Sequence, residues 1–267
     1  MESINYRRVQ PARPVAPYIG GKRNLASRLV ARIEAIEHET YCEVFVGMAG
    51  VFLRRKLAPK GEVINDYSRD VATFFRVLQR HYVPFLDMIR WQLTTRSEFE
   101  RLVRTDPDTL TDLERSARFL YLQRTAFGGK VAARNFGVAT ARRASFDISR
   151  LQPILEEVHS RLSGVVIECL PWQAFLERYD RPGTLFYLDP PYYGSEGDYG
   201  PIFGRDQFEL MADSLRRREG KFLLSINDHP EVRRIFAGFN MEQVETTYSL
   251  PGGGHSKRVG ELIITGG

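Results

Sequence analysis

Between Thr184 and Gly194 the chain reads TLFYLDPPYYG, and the two prolines inside it restrict the folds open to the whole sequence. Proline brings no amide hydrogen to a sheet ladder, so a central strand cannot run on through Pro190 and Pro191. The residues before them form a short apolar run without polar alternation, the pattern of a strand covered on both faces. A buried strand therefore stops at Asp189, at the carboxyl end where open α/β sheets place their ligands. Pro190 and Pro191 stiffen the backbone there, so the carbonyls of Asp189 and Pro190 can face a cleft without a competing ladder. Tyr192 adds a flat ring. A carboxylate, a peptide oxygen and a ring suit a planar amine: the oxygens accept its two N–H bonds and the ring covers its face. The bland alternative is a strand end with an exposed cap.

The surrounding pattern is compatible with such a sheet. Leu25, Leu29, Ile33 and Ile36 share one face of a helix, and YCEVFV (Tyr41 to Val46) is an apolar strand ending at Gly47. A second helix is expected through Phe52 and Leu57, then a strand EVIN ending at Asp66. This βαβ rhythm favours a parallel sheet with helices on both faces. From Ser68 to Arg161 the rhythm gives way to helices. Ser68 starts one that carries Val71, Phe74, Phe75 and Leu78 and that Pro84 kinks or ends. Thr111 and Glu114 have capping-box spacing. Glycines 128, 129 and 137 with Asn135 read as a loop or hairpin, and Leu151, Ile154, Leu155, Val158 and Leu162 line a further helix. Strands return at 165–169, 184–188, 221–226 and 261–265, with helices beginning near Asp206 and Pro230. The division that follows is a flexible lead-in over 1–15, an α/β unit over 16–70 and 163–267, and a helical insertion over 71–162.

With 267 residues, 43% of them hydrophobic, the chain can bury a core. It has no apolar run of the roughly 20 residues that a membrane helix needs. Cys42 and Cys169 lack the histidine spacing of a zinc site, so no metal is expected, and both read as reduced core thiols of a cytoplasmic protein. The formal charge of +5 and pI of about 9.2 tilt toward an anionic partner. Between residues 115 and 143 lie Arg115, Arg118, Arg124, Lys130, Arg134, Arg142 and Arg143 with no acid among them. Such a segment is either a solvated face or a block that phosphates neutralise.

Two further features bear on a ligand. FVGMAG, with Phe45, Gly47 and Gly50, is a strand-to-helix turn in which glycine lets a ligand approach the backbone. Asp66 ends the next strand, where a carboxylate can take both hydroxyls of a ribose, although Asp66, Ser68 and Asp70 also compete as helix caps. No P-loop lysine follows the glycines, which points to a nucleoside without a triphosphate.

DPPY at 189–192 resembles the signature of amino-group DNA methyltransferases, in the form typical of N6-adenine enzymes. PYIGGK (17–22), EVFVGMAGVFL (43–53), INDYSRD (64–70), FLYLQRTAFGG with NFGV (119–138) and GELIIT resemble the other segments of Dam-type adenine methylases, in the same order. The resemblance implies a Rossmann-like α/β sheet with an inserted helical target-recognition block, S-adenosyl-L-methionine as methyl donor, no metal, and an adenine of double-stranded DNA as acceptor. It assigns Asp189, Pro190, Pro191 and Tyr192 to catalysis and Tyr18, Lys22, Phe45, Gly47, Gly50, Asp66 and Asp189 to the cofactor. It assigns Arg118, Arg124, Lys130, Arg134, Asn135, Arg142 and Arg143 to DNA. A monomeric, cytoplasmic modification enzyme of a bacterium or phage is implied, with any partner nuclease invisible in the sequence. Ala49 stands where these enzymes have a second glycine, and Pro171 where many have an acid contacting the cofactor's adenine; Trp172 is then expected to pack there. Methylation of cytosine N4, RNA or a protein glutamine, or DNA binding without catalysis, are the alternatives that stay open.

Overall fold

The computed structural model describes residues 6–18, 20–22, 24–129, 131, 134–137, 144–195, 203–249 and 256–267. Seven strands make the central sheet: β1 (Thr40–Glu43), β2 (Gly61–Asn65), β3 (Val166–Glu168), β4 (Thr184–Leu188), β5 (Lys221–Asn227), β6 (Asn240–Ser249) and β7 (Ser256–Gly266). Their spatial order is β3-β2-β1-β4-β5-β7-β6. The first five are parallel, while β7 runs antiparallel between β5 and β6. After β1 the chain moves outward to β2 and β3, then re-enters on the other side of β1 as β4. The reversal opens a crevice at the carboxyl ends of β1 and β4, the switch point where ligands of open α/β sheets bind.

Side chains alternate between two apolar layers because successive strand residues point to opposite faces. Tyr41, Ile64, Leu185, Tyr187, Leu223 and Ile263 face one core, with α1 (Ala26–Ala35), α2 (Arg69–Arg80), α3 (Tyr82–Ile89), α4 (Arg96–Arg104), α5 (Asp112–Thr125) and α6 (Ile148–Arg161). Cys42, Val63, Phe186, Leu188, Phe222 and Leu224 face the other, with α7 (Trp172–Tyr179), α8 (Asp206–Leu215) and α9 (Pro230–Ile235). The helical block thus shares a core with the sheet; Phe74 of α2 meets Phe85 and Phe119 with ring centroids 6.0 and 5.6 Å apart. The boundaries expected at 70 and 163 mark a change of composition, not a gap between cores. The capping box forms as read: Thr111 Oγ1 accepts from the amide of Glu114, and Glu114 Oε2 accepts from that of Thr111.

Four expectations are corrected. The helix through Phe52 and Leu57 is only a 3₁₀ turn, Phe52–Arg54. Carbonyls that a longer helix needs are taken from outside, Leu53 O by the amide of Ala12 and Lys56 O by that of Val9. For the same reason the lead-in is held from Tyr6 onward: Arg7–Arg8 pair with Leu57–Ala58, and Ala12, Val15 and Ala16 are buried. The break after α2 falls at His81, and Pro84 sits in the first turn of α3, where a missing amide hydrogen costs nothing. Strand β6 was not anticipated, because its polar, acidic sequence belongs to a sheet edge paired only with β7.

One buried ionic cluster ties these parts together. Glu62 on β2 accepts from Arg55 at 2.8 Å and from both Nη atoms of Arg161, at the end of α6, at 2.8 and 2.6 Å. The second cation is stabilised by stacking: Arg55 lies 3.7 Å from the Tyr41 ring centroid and Arg161 4.0 Å from that of Phe52. Glu62→Gln removes the shared carboxylate and leaves two buried guanidinium groups, so urea denaturation should show a loss of about 3–5 kcal/mol. A loss below about 1 kcal/mol would mean that water reaches the cluster.

Candidate active site

The sheet register gathers side chains that are far apart in sequence. Glu43 at the end of β1 lies beside Tyr187 of β4, so Asp189, just beyond β4, lies next to it. Leu188 pairs with Leu224, which sets Ser225 of β5 beside Asp189; its hydroxyl donates to Asp189 Oδ1 at 3.2 Å. Because β7 is antiparallel, its mid-strand residue Glu261 comes opposite Asn227, the last residue of β5. The loop before α1 brings in Lys22. Its ammonium is 2.8 Å from Asp189 Oδ1 and 3.6 Å from Glu261 Oε2, and it donates to the Tyr192 hydroxyl at 3.0 Å. It also lies 4.2 Å from the centroid of the Tyr192 ring, whose hydroxyl donates to Glu261 Oε1.

Burial sets the charge states. It pushes the Asp189 carboxyl up to about 6 against the opposing pull of Lys22, with Glu261 adding to the rise and the Ser225 hydroxyl opposing it. Burial also pushes Glu43 up to about 8, against the hydrogen bond that Tyr41 donates to it at 2.7 Å. Lys22 and Glu261 are buried, whereas the Asp189 side chain keeps 19% of its surface exposed. That exposure opens onto a cavity of about 870 Å³.

A glycine turn and an acidic strand end form one wall of the cavity. Gly47 has φ +48°, and a Cβ there would lie 3.0 Å from Cδ1 of Tyr18, so turn and ring fit only without a side chain. The amide of Gly47 donates to Asp66 Oδ2 at 2.9 Å, while Oδ1 accepts from the amide of Ser68 at 2.8 Å. Asp66 thus acts as both turn former and acceptor at the cavity wall, whereas Ser68 precedes α2 without a side-chain cap bond. Burial pushes Asp66 up to about 6, against those two backbone bonds. Ala49 adopts φ +58°, the left-handed region that favours glycine. Gly50 needs no such freedom; its carbonyl accepts from Arg54. Phe45 meets Phe203 edge to face, centroids 5.9 Å apart. Pro171 lines the cavity, and Trp172 packs beside it with its indole N–H on Gln207 Oε1 at 3.1 Å.

Pro190 and Pro191 are buried, and Pro191 lines the cavity with Asp189. Tyr192 lies behind Lys22 rather than on the cavity wall. Several residues expected on DNA have other work. The Arg118 Nε donates to Leu102 O at 2.8 Å, and a guanidinium nitrogen stands 3.9 Å from Asp70 Oδ2. Arg124 clamps Ser145 O, at 2.9 and 2.6 Å, and Val15 O at 3.2 Å. Arg115 pairs with Asp70 and Asp108 at 2.5 and 2.7 Å. The charge of this segment is therefore met in part by acids outside it, invisible to a local count. Arg134 is half-buried and Asn135 exposed, beside a hairpin closed by Phe127 N–H on Asn135 O and Gly137 N–H on Thr125 O, each 2.8 Å. Lys130, Arg142 and Arg143 lie outside the described residues. Sequence reasoning passed over Ser225, Glu43 and Glu261; the signal for Glu261 was an acid opening the last apolar run.

A family model, D12 class N6 adenine-specific DNA methyltransferase, matches residues 18–250. The chain is similar to the Type II methyltransferase M.CviBI of Paramecium bursaria Chlorella virus NC1A, 23% identical over 258 residues, covering 95% of this chain and 96% of that one. It is similar to the Type II methyltransferase M1.LlaDCHI of Lactococcus lactis subsp. cremoris, 24% identical over 280 residues and 95% of both chains. A DNA N-6-adenine-methyltransferase of Escherichia phage P1 is 25% identical over 97% of this chain but only 36% of its own length.

Gly47→Ala drives a methyl into the Tyr18 ring at a left-handed backbone position. Calorimetric titration with S-adenosylmethionine should show at least about tenfold weaker binding, the equivalent of 1.4 kcal/mol. An unchanged affinity would separate this turn from the ligand. Asp66 is ionised above about 6, so ligand affinity should rise as pH passes upward through that value and level off beyond it; the same titration at several pH values checks the direction.

Proposed function

Because this chain belongs to the D12 class N6 adenine-specific DNA methyltransferase family, we propose that Asp189 and the Pro190 carbonyl hold the exocyclic amine of an adenine turned out of double-stranded DNA, with Tyr192 against its ring. The chain is a DNA adenine methyltransferase. S-adenosyl-L-methionine, when bound, supplies an electrophilic methyl group on a sulfonium. The cavity fits it: Asp66 for the ribose hydroxyls, the Gly47 turn and Tyr18 for close approach, and Phe45, Trp172 and Phe203 as apolar walls.

One observation carries the assignment of the amine. The Lys22 ammonium rests on Asp189 Oδ1 and over the Tyr192 ring, so a nitrogen with N–H donors already fills the place proposed for the adenine N6. A substrate amine displaces it and meets the same acceptor and the same ring. The adenine lone pair is delocalised into the purine, so N6 is a weak nucleophile. Two fixed acceptors draw its N–H bonds and stabilise the positive charge that grows as the N–C bond forms. Each contributes on the order of 3 kcal/mol to lowering the barrier. Asp189 takes the proton that N6 sheds. Turning the base out costs a few kcal/mol, and stacking on Tyr192 returns roughly 1–3 kcal/mol of it. Neither thiol is given a role: Cys42 is buried in the opposite core, and Cys169, expected in the core, is exposed with its thiol on the Tyr67 carbonyl.

DNA contact falls to the hairpin with Arg134 and Asn135 and to Lys130, Arg142 and Arg143. Arg118 and Arg124 fasten the block from within.

Asp189→Ala should lower single-turnover methylation of unmethylated bulk DNA about 10²–10³-fold, read below a melting temperature that falls because the buried Lys22 loses its nearest carboxylate. Near-normal transfer would remove Asp189 from the mechanism. Since the ionised carboxylate is the acceptor, the rate should climb as pH rises through about 6 and be flat above; a rate falling between pH 6 and 8 contradicts it. Lys130→Ala should reduce the slope of log affinity against log salt by about 0.9. Arg118→Ala should leave that slope unchanged and lower the melting temperature instead.

A further inference from the structure

Glu261 has no role in the mechanism above, yet it is fully buried beside the reacting groups. It accepts the Tyr192 hydroxyl and lies 3.6 Å from the Lys22 ammonium. Lys22 is thus shared between two carboxylates, with the tighter contact, 2.8 Å, to Asp189. The side chains facing this ammonium from the packed elements are Asp189 after β4, Glu261 on β7 and Tyr192; Ser225 on β5 and Glu43 on β1 stand behind Asp189. Burial pushes the Glu43 carboxyl up, toward its neutral form. Glu261 is the second carboxylate within reach of the ammonium.

An amine that takes Asp189 must evict a buried ammonium. If Lys22 had to enter water or lose its proton each time, the displacement would carry the cost of breaking a buried pair. We propose that Glu261 is a positioning residue that receives the Lys22 ammonium when the target adenine takes Asp189, while anchoring the Tyr192 ring through its hydroxyl. Lys22 then moves between two counter-charges that are already on either side of it, and no bond forms or breaks in the exchange. Tyr192 is the fixed point, since its hydroxyl oxygen accepts from Lys22 as the same hydroxyl donates to Glu261. This handover rests on the reading of Asp189 as the amine acceptor and adds the residue that clears it.

Glu261→Gln separates the two parts. Its amide oxygen still accepts the Tyr192 hydroxyl, so the ring stays, but the counter-charge for Lys22 is lost. On bulk unmethylated DNA at saturating S-adenosylmethionine, kcat should fall about 10- to 100-fold, the value of one charge-assisted hydrogen bond. KM for DNA, the calorimetric affinity for S-adenosylmethionine and the melting temperature should stay near those of the parent protein. In a Lys22→Gln background, where no ammonium holds Asp189, adding Glu261→Gln should cost little further. A Glu261→Gln protein with parental kcat, or one whose kcat, KM and melting temperature fall together, overturns the proposal. An equal cost in both backgrounds overturns it as well. The two readings are told apart by Asp189→Ala: retained transfer there defeats the acceptor role itself, whereas an inactive Asp189→Ala with a harmless Glu261→Gln defeats only the handover.

Discussion

One buried ammonium between two carboxylates organises the catalytic end of this protein. Lys22 comes from the loop before α1, Asp189 follows β4, Glu261 begins the apolar run of β7, and the Tyr192 hydroxyl bridges them. A lysine so fully withdrawn from water must be matched by anions, and here the match is drawn from two parts of the chain far from it. The cluster forms only if the sheet closes in the order β3-β2-β1-β4-β5-β7-β6, because that order brings the ends of β1, β4 and β5 level with the middle of the antiparallel β7. Fold and site therefore depend on each other through electrostatics as well as packing.

The same logic appears at the other buried ion cluster. Glu62 draws Arg55 and Arg161 onto β2 and so fixes both the turn after β1 and the return of the helical block. One cluster secures the frame and the other sits in the crevice. They differ in exposure, for Asp189 opens to the cavity while the Glu62 cluster is closed. A closed cluster can only stabilise or destabilise; an open one can exchange a partner. In the proposed mechanism that exchange links the resting arrangement of side chains to methyl transfer, with the acceptor that holds Lys22 taking the substrate amine.

Basic residues need the same distinction between being present and being available. Within residues 115–143 the sequence shows only cations, and an outward-facing stripe is the natural expectation. Folding turns Arg115 and Arg118 toward Asp70 and spends Arg124 on backbone carbonyls. The residues proposed above for an anionic partner are therefore fewer than the count of cations. Long side chains with planar donors serve as internal fasteners as readily as phosphate ligands, so their count does not state how many face a partner.

The sequence by itself determined the sheet's buried strands, the stop at Asp189, the glycine turn with the acidic strand end at Asp66 and the capping box of α5, because each is marked by a short local run or motif. The order of segments was legible too, and with it the family. Only the tertiary structure decided what lay between distant positions. The helix expected at Phe52–Leu57 yielded to carbonyls claimed by the N-terminal segment, and β6 exists because β7 offers it an edge. Ser225, Glu43 and Glu261 joined the site through sheet register, and Tyr192 was found behind Lys22 rather than bare in the cleft. Local propensity is written along the chain, but a buried charge finds its partner across it, by topology that no short stretch encodes.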